Sequence, residues 1–231
     1  MKNASGSNAA KQLAGEAAAE EVEDGMVVGL GTGSTTAYAV RALGNAVDAG
    51  LDVEGVPTSF QSRQLAIDCG IPLTTLEESS VDLAIDGADQ VASGRTGPVL
   101  VKGGGAAHAS EKVVDASADR FVVVADPSKE ADTLDHPIPV AVLPDAYPVV
   151  EEAVRGLGGD PELRAAECKD GPVVTDDGNL VLDCGFGEIS DPASLASELS
   201  AVPGAVEHGL FVDLADAVYV GTDDDVRIRE T

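Results

Sequence analysis

The chain is 231 residues long and carries 14 Lys+Arg against 41 Asp+Glu, a formal net charge of −27 at pH 7. Its 44% of hydrophobic residues is a globular composition, long enough for one generous domain or two small ones. A field of this sign repels nucleic-acid backbones and anionic lipid, and no apolar run reaches the ~18 residues of a membrane span. Three scattered cysteines, Cys69, Cys168 and Cys184, set out neither a disulfide framework nor a cysteine-rich zinc module. The opening MKNASGSNAAK has no apolar core behind its lysine, so it does not read as a secretory signal, and a cytoplasmic location is expected.

Strand-like and helix-like segments alternate through the first half. Residues 8–22 (NAAKQLAGEAAAEEV) are Ala-rich and predict a helix opening after a Ser7/Asn8 cap. MVVGL (26–30) predicts a short buried strand, and GTGST then turns into a helix through AYAVRALGNAV. LDVEGVP predicts a strand, SFQSRQLAIDCG a helix, and VDLAID (81–86) another buried strand. VLVKGGG followed by AAHASEKVVDASA repeats the sequence of strand, glycine turn and helix, and FVVVAD (121–126) is the fifth β-rich run. Near-continuous apolar strands alternating with helices predict an α/β fold with a parallel sheet covered on both faces.

The rhythm changes near residue 135. HPIPVAVLP is Pro-studded, PVVEEAVRGLGG is helical, and GPVVTDDGNLVLDCGF predicts a hairpin turning at Asp-Asp-Gly-Asn. A helix over 191–201 and a strand over 205–210 complete a βαββαβ order, which suits a smaller α+β unit of the split βαβ type. The tail ADAVYVGTDDDVRI is expected to rejoin the first sheet as a hairpin. The boundaries that follow are 1–134 with 208–231 for the larger unit and 135–207 for the smaller.

Four stations carry chemistry. In the first, Gly29-Leu30-Gly31-Thr32-Gly33-Ser34-Thr35-Thr36 lies between strand and helix, where backbone N–H groups and a positive helix end converge on an anion. A plain βα turn with a Ser/Thr cap accounts for the same residues. The loop lacks the lysine of a GxxxxGK[ST] phosphate loop. As a dinucleotide fingerprint it is imperfect, because Ser34 replaces the third glycine, although Glu54 could stand in for a ribose-binding acid. A monophosphate fits the local chemistry better. In the second, Asp86 and Asp89 flank a glycine at the carboxyl end of a buried strand, where two close acids raise one another's pKa. In the third, Lys102 precedes Gly103-Gly104-Gly105, a run suited to close backbone approach, with Glu111 and Lys112 about two turns into the following helix. In the fourth, Asp126-Pro127-Ser128-Lys129 offers a cation and a hydroxyl at the end of the fifth strand. His108, His136 and His208 have no metal-ligand spacing, and no metal is expected.

Together these stations resemble the ribose-5-phosphate isomerase family of type A. VGLGTGSTTAYAV, IDGADQV, VKGGGAAHASEKVV and VADPSK stand in that family's order and spacing, and the likeness runs from AAKQLAGEAA through VVTDDGNLVLD and VPGAVEHGLF to ADAVYVGT. The resemblance implies a Rossmann-like parallel sheet with helices on both faces plus a smaller α+β domain serving as lid and oligomerisation unit. It implies interconversion of D-ribose 5-phosphate and D-ribulose 5-phosphate through an enediolate, in the non-oxidative pentose phosphate pathway, without cofactor, by a homodimer or homotetramer. The residue roles it implies are these. Gly31, Thr32, Gly33, Ser34 and Thr35 hold the phosphate, helped by Lys129, Lys11, Thr58 and Ser59. Asp86 and Asp89 contact sugar hydroxyls and assist ring opening or proton movement between oxygens. Lys102 and the N–H groups of Gly103, Gly104 and Gly105 stabilise the enediolate oxygen, and Glu111 moves the proton between C2 and C1. Gln90 stands where the family commonly has Glu and takes no role, and His108 is treated as variable.

The acid excess, scarce lysine and absent tryptophan resemble proteins of salt-loving microbes, in which ~1 M salt shortens the Debye length to ~3 Å and screens carboxylate repulsion. Two rival functions remain open. A sugar-phosphate-sensing regulator would need a DNA-reading module, and no basic helix-turn-helix precedes residue 8. A nucleotide-dependent dehydrogenase would need a better glycine fingerprint.

Overall fold

A computed structural model describes residues 6–231; residues 1–5, which open the segment read for a secretory signal and the larger unit, lie outside the described residues. A six-stranded sheet organises the larger part. It is built from β1 (Val27–Leu30), β2 (Glu54–Pro57), β3 (Leu83–Gly87), β6 (Arg120–Ala125), β12 (Ala217–Gly221) and β13 (Val226–Glu230), in the order β13-β12-β6-β3-β1-β2. All neighbours are parallel except the edge hairpin of β12 with β13. The tail therefore returns to the first sheet as the sequence predicts.

The period-2 alternation of a strand assigns side chains to the two faces. Leu83, Ile85, Val122 and Val124 pack with α1 (Asn8–Ala19), α2 (Thr36–Asp48) and α3 (Phe60–Asp68). Ala84, Phe121, Val123 and Ala125 pack on the other face with Val114 of α4 (His108–Ser117) and with Phe211. Asp86 shares parity with Ala84, so the sheet sends its carboxyl to the α4 face. The helices start where their sequences allow: the Ser7 side chain accepts from Ala10 N, and Ser59 and Ser62 form a reciprocal cap on α3. Among the described residues no helix is long and apolar enough to cross a membrane.

The smaller unit has a four-stranded antiparallel sheet, β10-β7-β9-β8, from β7 (Ile138–Val142), β8 (Asp160–Leu163), β9 (Leu180–Gly185) and β10 (Ala205–His208). With α5 (Tyr147–Gly156) and α6 (Pro192–Ser200) it gives the βαββαβ order, around a core that includes Ile138, Val140, Val150, Leu182 and Leu199.

Three sequence expectations change. VLVKGGG supplies β5 (Pro98–Val101), which belongs to a separate three-stranded antiparallel sheet, β11-β5-β4, with β4 (Gln90–Ser93) and β11 (Leu210–Val212). Only residues 94–97 link β4 to β5, closed by Gly94 N donating to Gly97 O at 2.8 Å, and so short a link reverses the chain instead of crossing over. The predicted hairpin also pairs differently. β9 runs beside β8, whereas residues 172–175 reach β9 only through a bridge between Val174 and Leu180, because Val173 N is drawn to Arg164 O at 2.8 Å. The strand expected over 205–210 breaks at Gly209, sending β10 to β7 and β11 to β5. A Cβ at Gly209 would sit 2.1 Å from the Lys102 carbonyl oxygen, so glycine is what lets the small unit approach Lys102 this closely.

Candidate active site

The loop between β1 and α2 lies at the carboxyl edge of the parallel sheet. Gly31 N donates to Ile85 O at 3.0 Å, and a Cβ at Gly31 would fall 2.1 Å from Asp86 Cγ. Gly33 takes φ +133°, outside the comfortable range of other residues. Thr35, at the cap position, makes no side-chain cap bond. The N–H groups of Gly33, Ser34 and Thr35 take no partner among the described residues, which leaves the positive helix end open to an anion. Lys11 of α1 and Lys129 of the Pro127–Lys129 turn line the same cleft.

Thr58 and Ser59 stand behind this loop instead of lining the cleft. The Thr32 hydroxyl lies 3.0 Å from that of Thr58 and 2.6 Å from that of Ser59. Asp86 and Gly31 are likewise one layer back, with Asp86 fully buried. The other predicted residues, Thr32, Gly33, Ser34, Thr35, Asp89, Lys102, Gly103, Gly104, Gly105 and Glu111, line one cleft with the two lysines. Glu54 opens β2 at the opposite edge, paired with Val27. It cannot serve as the ribose-binding acid of a dinucleotide site, which lies at the carboxyl ends of strands.

Lys102 is the electrostatic centre and is 2% exposed. Its Nζ lies 2.8 Å from Asp86 Oδ2, 3.4 Å from Glu111 Oε2 and 3.8 Å from Asp115 Oδ2, and donates to Gly87 O at 2.6 Å. Phe211 lies under it, ring centroid 5.3 Å from Nζ, with Lys112 Nζ 4.8 Å from the same ring. Burial opposes the ammonium charge, but the three carboxyls outweigh it and hold Lys102 protonated above its ordinary range. Burial also lifts Asp86, against the Lys102 charge and N–H donors from Gly87 (2.6 Å) and Thr32 (3.0 Å) that favour its anion. Burial, then repulsion from Asp86, pushes Glu111 up to about 8, with Asp89 adding to the rise. Asp115 is raised well above the carboxylate range, again first by burial and then by Asp86.

The two aspartates do not form the isolated pair that their spacing suggests. Asp86 bonds Lys102, and Asp89 accepts from Gly104 N at 2.6 Å. Glu111 lies in the first turn of α4, not two turns in, because the helix begins at His108 after Ala106 turns the chain with φ +60°. His108 is fully buried, its Nε2 accepting from Ala141 N at 3.1 Å, and burial holds it neutral, with a pKa down at about 3. Gln90 ties β4 to the start of the small unit, accepting at Oε1 from Asp135 N and His136 N, both at 2.9 Å.

Sequence reasoning missed Asp115, Phe211 and Gln61. Asp115 follows Glu111 by four residues, hence on the same helix face, so helical spacing links it to Glu111 but does not show that this face is buried. Gln61 and Phe211 carry no local signal: one lines the cleft from the start of α3, and the other arrives from β11 across more than a hundred residues. Among the described residues no cluster of three or more His, Cys, Asp or Glu is arranged to hold a metal ion.

Comparison with known proteins places this geometry in context. The sequence profile of the family described as Ribose 5-phosphate isomerase A (phosphoriboisomerase A) matches residues 54–225. The ribose-5-phosphate isomerase A of Haloarcula marismortui is 71% identical over 224 residues, covering 97% of this chain and 96% of that protein. The structure of ribose 5-phosphate isomerase A from Methanocaldococcus jannaschii superposes with a TM-score of 0.91 at 45% identity, covering 96% of this chain and 98% of that one. A D-ribose-5-phosphate isomerase solved in complex with phospho-erythronic acid gives a TM-score of 0.91 at 42% identity, covering 96% of this chain and 97% of that one.

Proposed function

The chain belongs to the ribose 5-phosphate isomerase A family and interconverts D-ribose 5-phosphate and D-ribulose 5-phosphate; from that premise we propose how its residues divide the work. The free N–H groups of Gly33 to Thr35, the Ser34 and Thr35 hydroxyls, Lys11 and Lys129 take the phosphate. Thr58 and Ser59 act through Thr32, whose hydroxyl they hold. Asp89 meets the sugar hydroxyls and assists ring opening, with Asp86 behind it fixing both Lys102 and the loop.

In the open-chain aldose, the Glu111 carboxylate removes the proton from C2. The C2–H electron pair becomes the C1=C2 bond, and the carbonyl π pair moves onto O1. Lys102 and the Gly105 N–H stabilise that oxyanion, the Gly104 N–H being already donated to Asp89 Oδ2. Glu111 then returns its proton to C1, O1 gains a proton as O2 loses one, and the ketose forms with Glu111 restored as carboxylate. A base lifted to about 8 is strong enough to abstract yet ionises near neutral pH.

The observation that supports this most directly is the Glu111 carboxyl 3.4 Å from the Lys102 ammonium, in a cleft shared with Lys129. The test is incubation with ribose 5-phosphate in molar KCl, without nicotinamide cofactor, reading ribulose 5-phosphate. The parent converts it and Glu111→Gln does not. Equal rates would reassign the base.

The reading includes a cytoplasmic enzyme divided into a catalytic unit, 1–134 with 208–231, and a lid and oligomerisation unit, 135–207. Support for the lid comes from its Asp176–Asp177 turn, which accepts from Phe60 N at 2.7 Å and from Ser110 Oγ at 3.0 Å across the cleft's flank. Support for a homodimer or homotetramer comes from the exposed Val113, Leu76 and Val206, which surround one groove. Light scattering tests it, and a monomer at working concentration removes this part.

A further inference from the structure

Arg164 joins the small unit to the glycine turn that follows Lys102. It comes directly after β8, and its own backbone is fixed on both sides: its N–H donates to Val181 O at 2.9 Å and its carbonyl accepts from Val173 N at 2.8 Å. Nε donates to Asp183 Oδ2 at 2.8 Å and Nη2 to Asp183 Oδ1. That two-point pairing sets the plane of the guanidinium. The remaining nitrogen, Nη1, donates to Gly103 O at 2.9 Å and to Gly104 O at 3.4 Å.

A trans peptide aims its carbonyl and the following N–H in opposite directions. Two carbonyls drawn toward Arg164 therefore turn the N–H groups of Gly104 and Gly105 the other way. Gly104 N donates to Asp89 Oδ2 at 2.6 Å. Gly105 N takes no partner among the described residues, and Gly105 lines the cleft. Within the turn only Ala106 N to Gly103 O, at 2.9 Å, closes the loop. The turn also holds two left-handed residues, Gly103 at φ +106° and the non-glycine Ala106 at φ +60°. Such a conformation persists when its surroundings over-determine it, and Arg164 supplies that constraint from outside the cleft.

We propose that Arg164 is a positioning residue for the isomerisation, locking the glycine turn so that the Gly105 N–H meets the enediolate oxygen and Asp89, held through Gly104, meets the sugar hydroxyls. The inference rests on the reading of Lys102 and this turn as the oxyanion site. Donors aimed where charge develops act on the transition state more than on the bound substrate. Arg164→Lys keeps the charge but loses the fork. It lowers kcat by about 10- to 100-fold, below the ~10²–10³ of deleting an oxyanion donor outright, and KM for ribose 5-phosphate stays within about threefold. Inhibition by phospho-erythronic acid, whose carboxylate imitates the enediolate, weakens by the same factor as kcat/KM.

A structural role alone would lower active protein and melting temperature together while leaving kcat per folded site and the inhibition constant unchanged, and that pattern overturns the proposal. So does a kcat within twofold of the parent. Asp183→Asn, which loosens the guanidinium without removing it, gives a smaller loss in the same direction; no loss in that variant counts against the proposal even if Arg164→Lys fails to fold. Glu111→Gln runs alongside. Retained activity there overturns the site reading itself, whereas its loss beside an unaffected Arg164→Lys overturns only the role of Arg164.

Discussion

Glu111→Gln tests catalysis and stability at once, because the burial that makes Glu111 a stronger base also makes its anion costly to house. Burial and the neighbouring Asp86 carry the carboxyl from 4.5 to about 8. The folded chain therefore keeps a proton that the unfolded chain has already lost. Stability from this group is fully present below pH 4.5 and is lost as pH rises through about 8. Integrating that linkage between about pH 5 and about pH 8 gives about 3–4 kcal/mol. Glutamine has the same shape and cannot ionise. The parent's Tm should thus fall over this range by about 6–16 °C more than that of the variant, at about 2–4 °C per kcal/mol for a chain of this size. The same variant should lose about 10²–10⁴ in kcat with KM nearly unchanged. Thermal melts followed by circular dichroism in molar KCl, with ketose formation as the rate assay, measure both. Parallel Tm profiles for parent and variant, or a kcat within about tenfold of the parent, would refute the reasoning.

Lys129→Ala should raise KM for ribose 5-phosphate about tenfold or more and leave kcat within about threefold, since phosphate is held alike in ground and transition states; an unchanged KM removes Lys129 from the phosphate site. Gly31→Ala drives a methyl into the Asp86 carboxyl, 2.1 Å from its Cγ, and displaces the partner of Lys102. It should lower both kcat and Tm, and a variant with parental values of each contradicts the geometry. A chain of net charge −27 should gain Tm as KCl rises to molar levels, because a Debye length of ~3 Å screens its carboxylates. A flat or falling Tm shows that repulsion between carboxylates is not what limits its stability.

The parallel strands were legible because burial on both faces leaves an unbroken apolar run, as in Phe121 to Ala125. The direction of β5 was not, since the run Pro98–Val101 looks the same whichever way it points; the four-residue link before it decides. β8, Asp160–Leu163, has weak strand formers and a proline, and it survives as the edge of its sheet, where a missing N–H does little harm. Pro139 sits in the interior strand β7, but beyond the end of β10, opposite Gly209, whose N–H its carbonyl accepts at 2.7 Å. Within the site, the loop and Lys102 announced themselves by glycines that only close approach requires. Glu111 did not: in HASEKVVDAS it reads as any helix-face acid, and its burial beside Lys102 depends on the sheet parity of Asp86 and on Phe211 arriving from β11. Asp115 was missed for the same reason, as helical spacing pairs it with Glu111 without saying that this face is the covered one.

The distribution of cations reconciles an acidic chain with an anionic substrate. Of its six lysines, Lys11, Lys102 and Lys129 line one cleft, and Lys112 Nζ lies 4.8 Å from the Phe211 ring that also meets Lys102. Three ionised carboxyls around Lys102 would leave that buried cluster with a net charge of about −2, a state that low dielectric makes costly. The cluster relieves it through the raised pKa values of Asp115 and Glu111. Below about pH 8 Glu111 rests mostly protonated, and its ionised fraction is the base that abstracts. Asp86, with the ammonium and two amides as donors, carries the charge that pairs with Lys102. The cleft is therefore less negative where the sugar reacts than three ionised carboxyls around Lys102 would make it, and it carries Lys11 and Lys129 where the phosphate sits, within a chain whose net charge of −27 repels anions. Molar salt screens that long-range repulsion but weakens contacts made inside a closed site much less, so the arrangement selects for a ligand small enough to enter and charged at one end only.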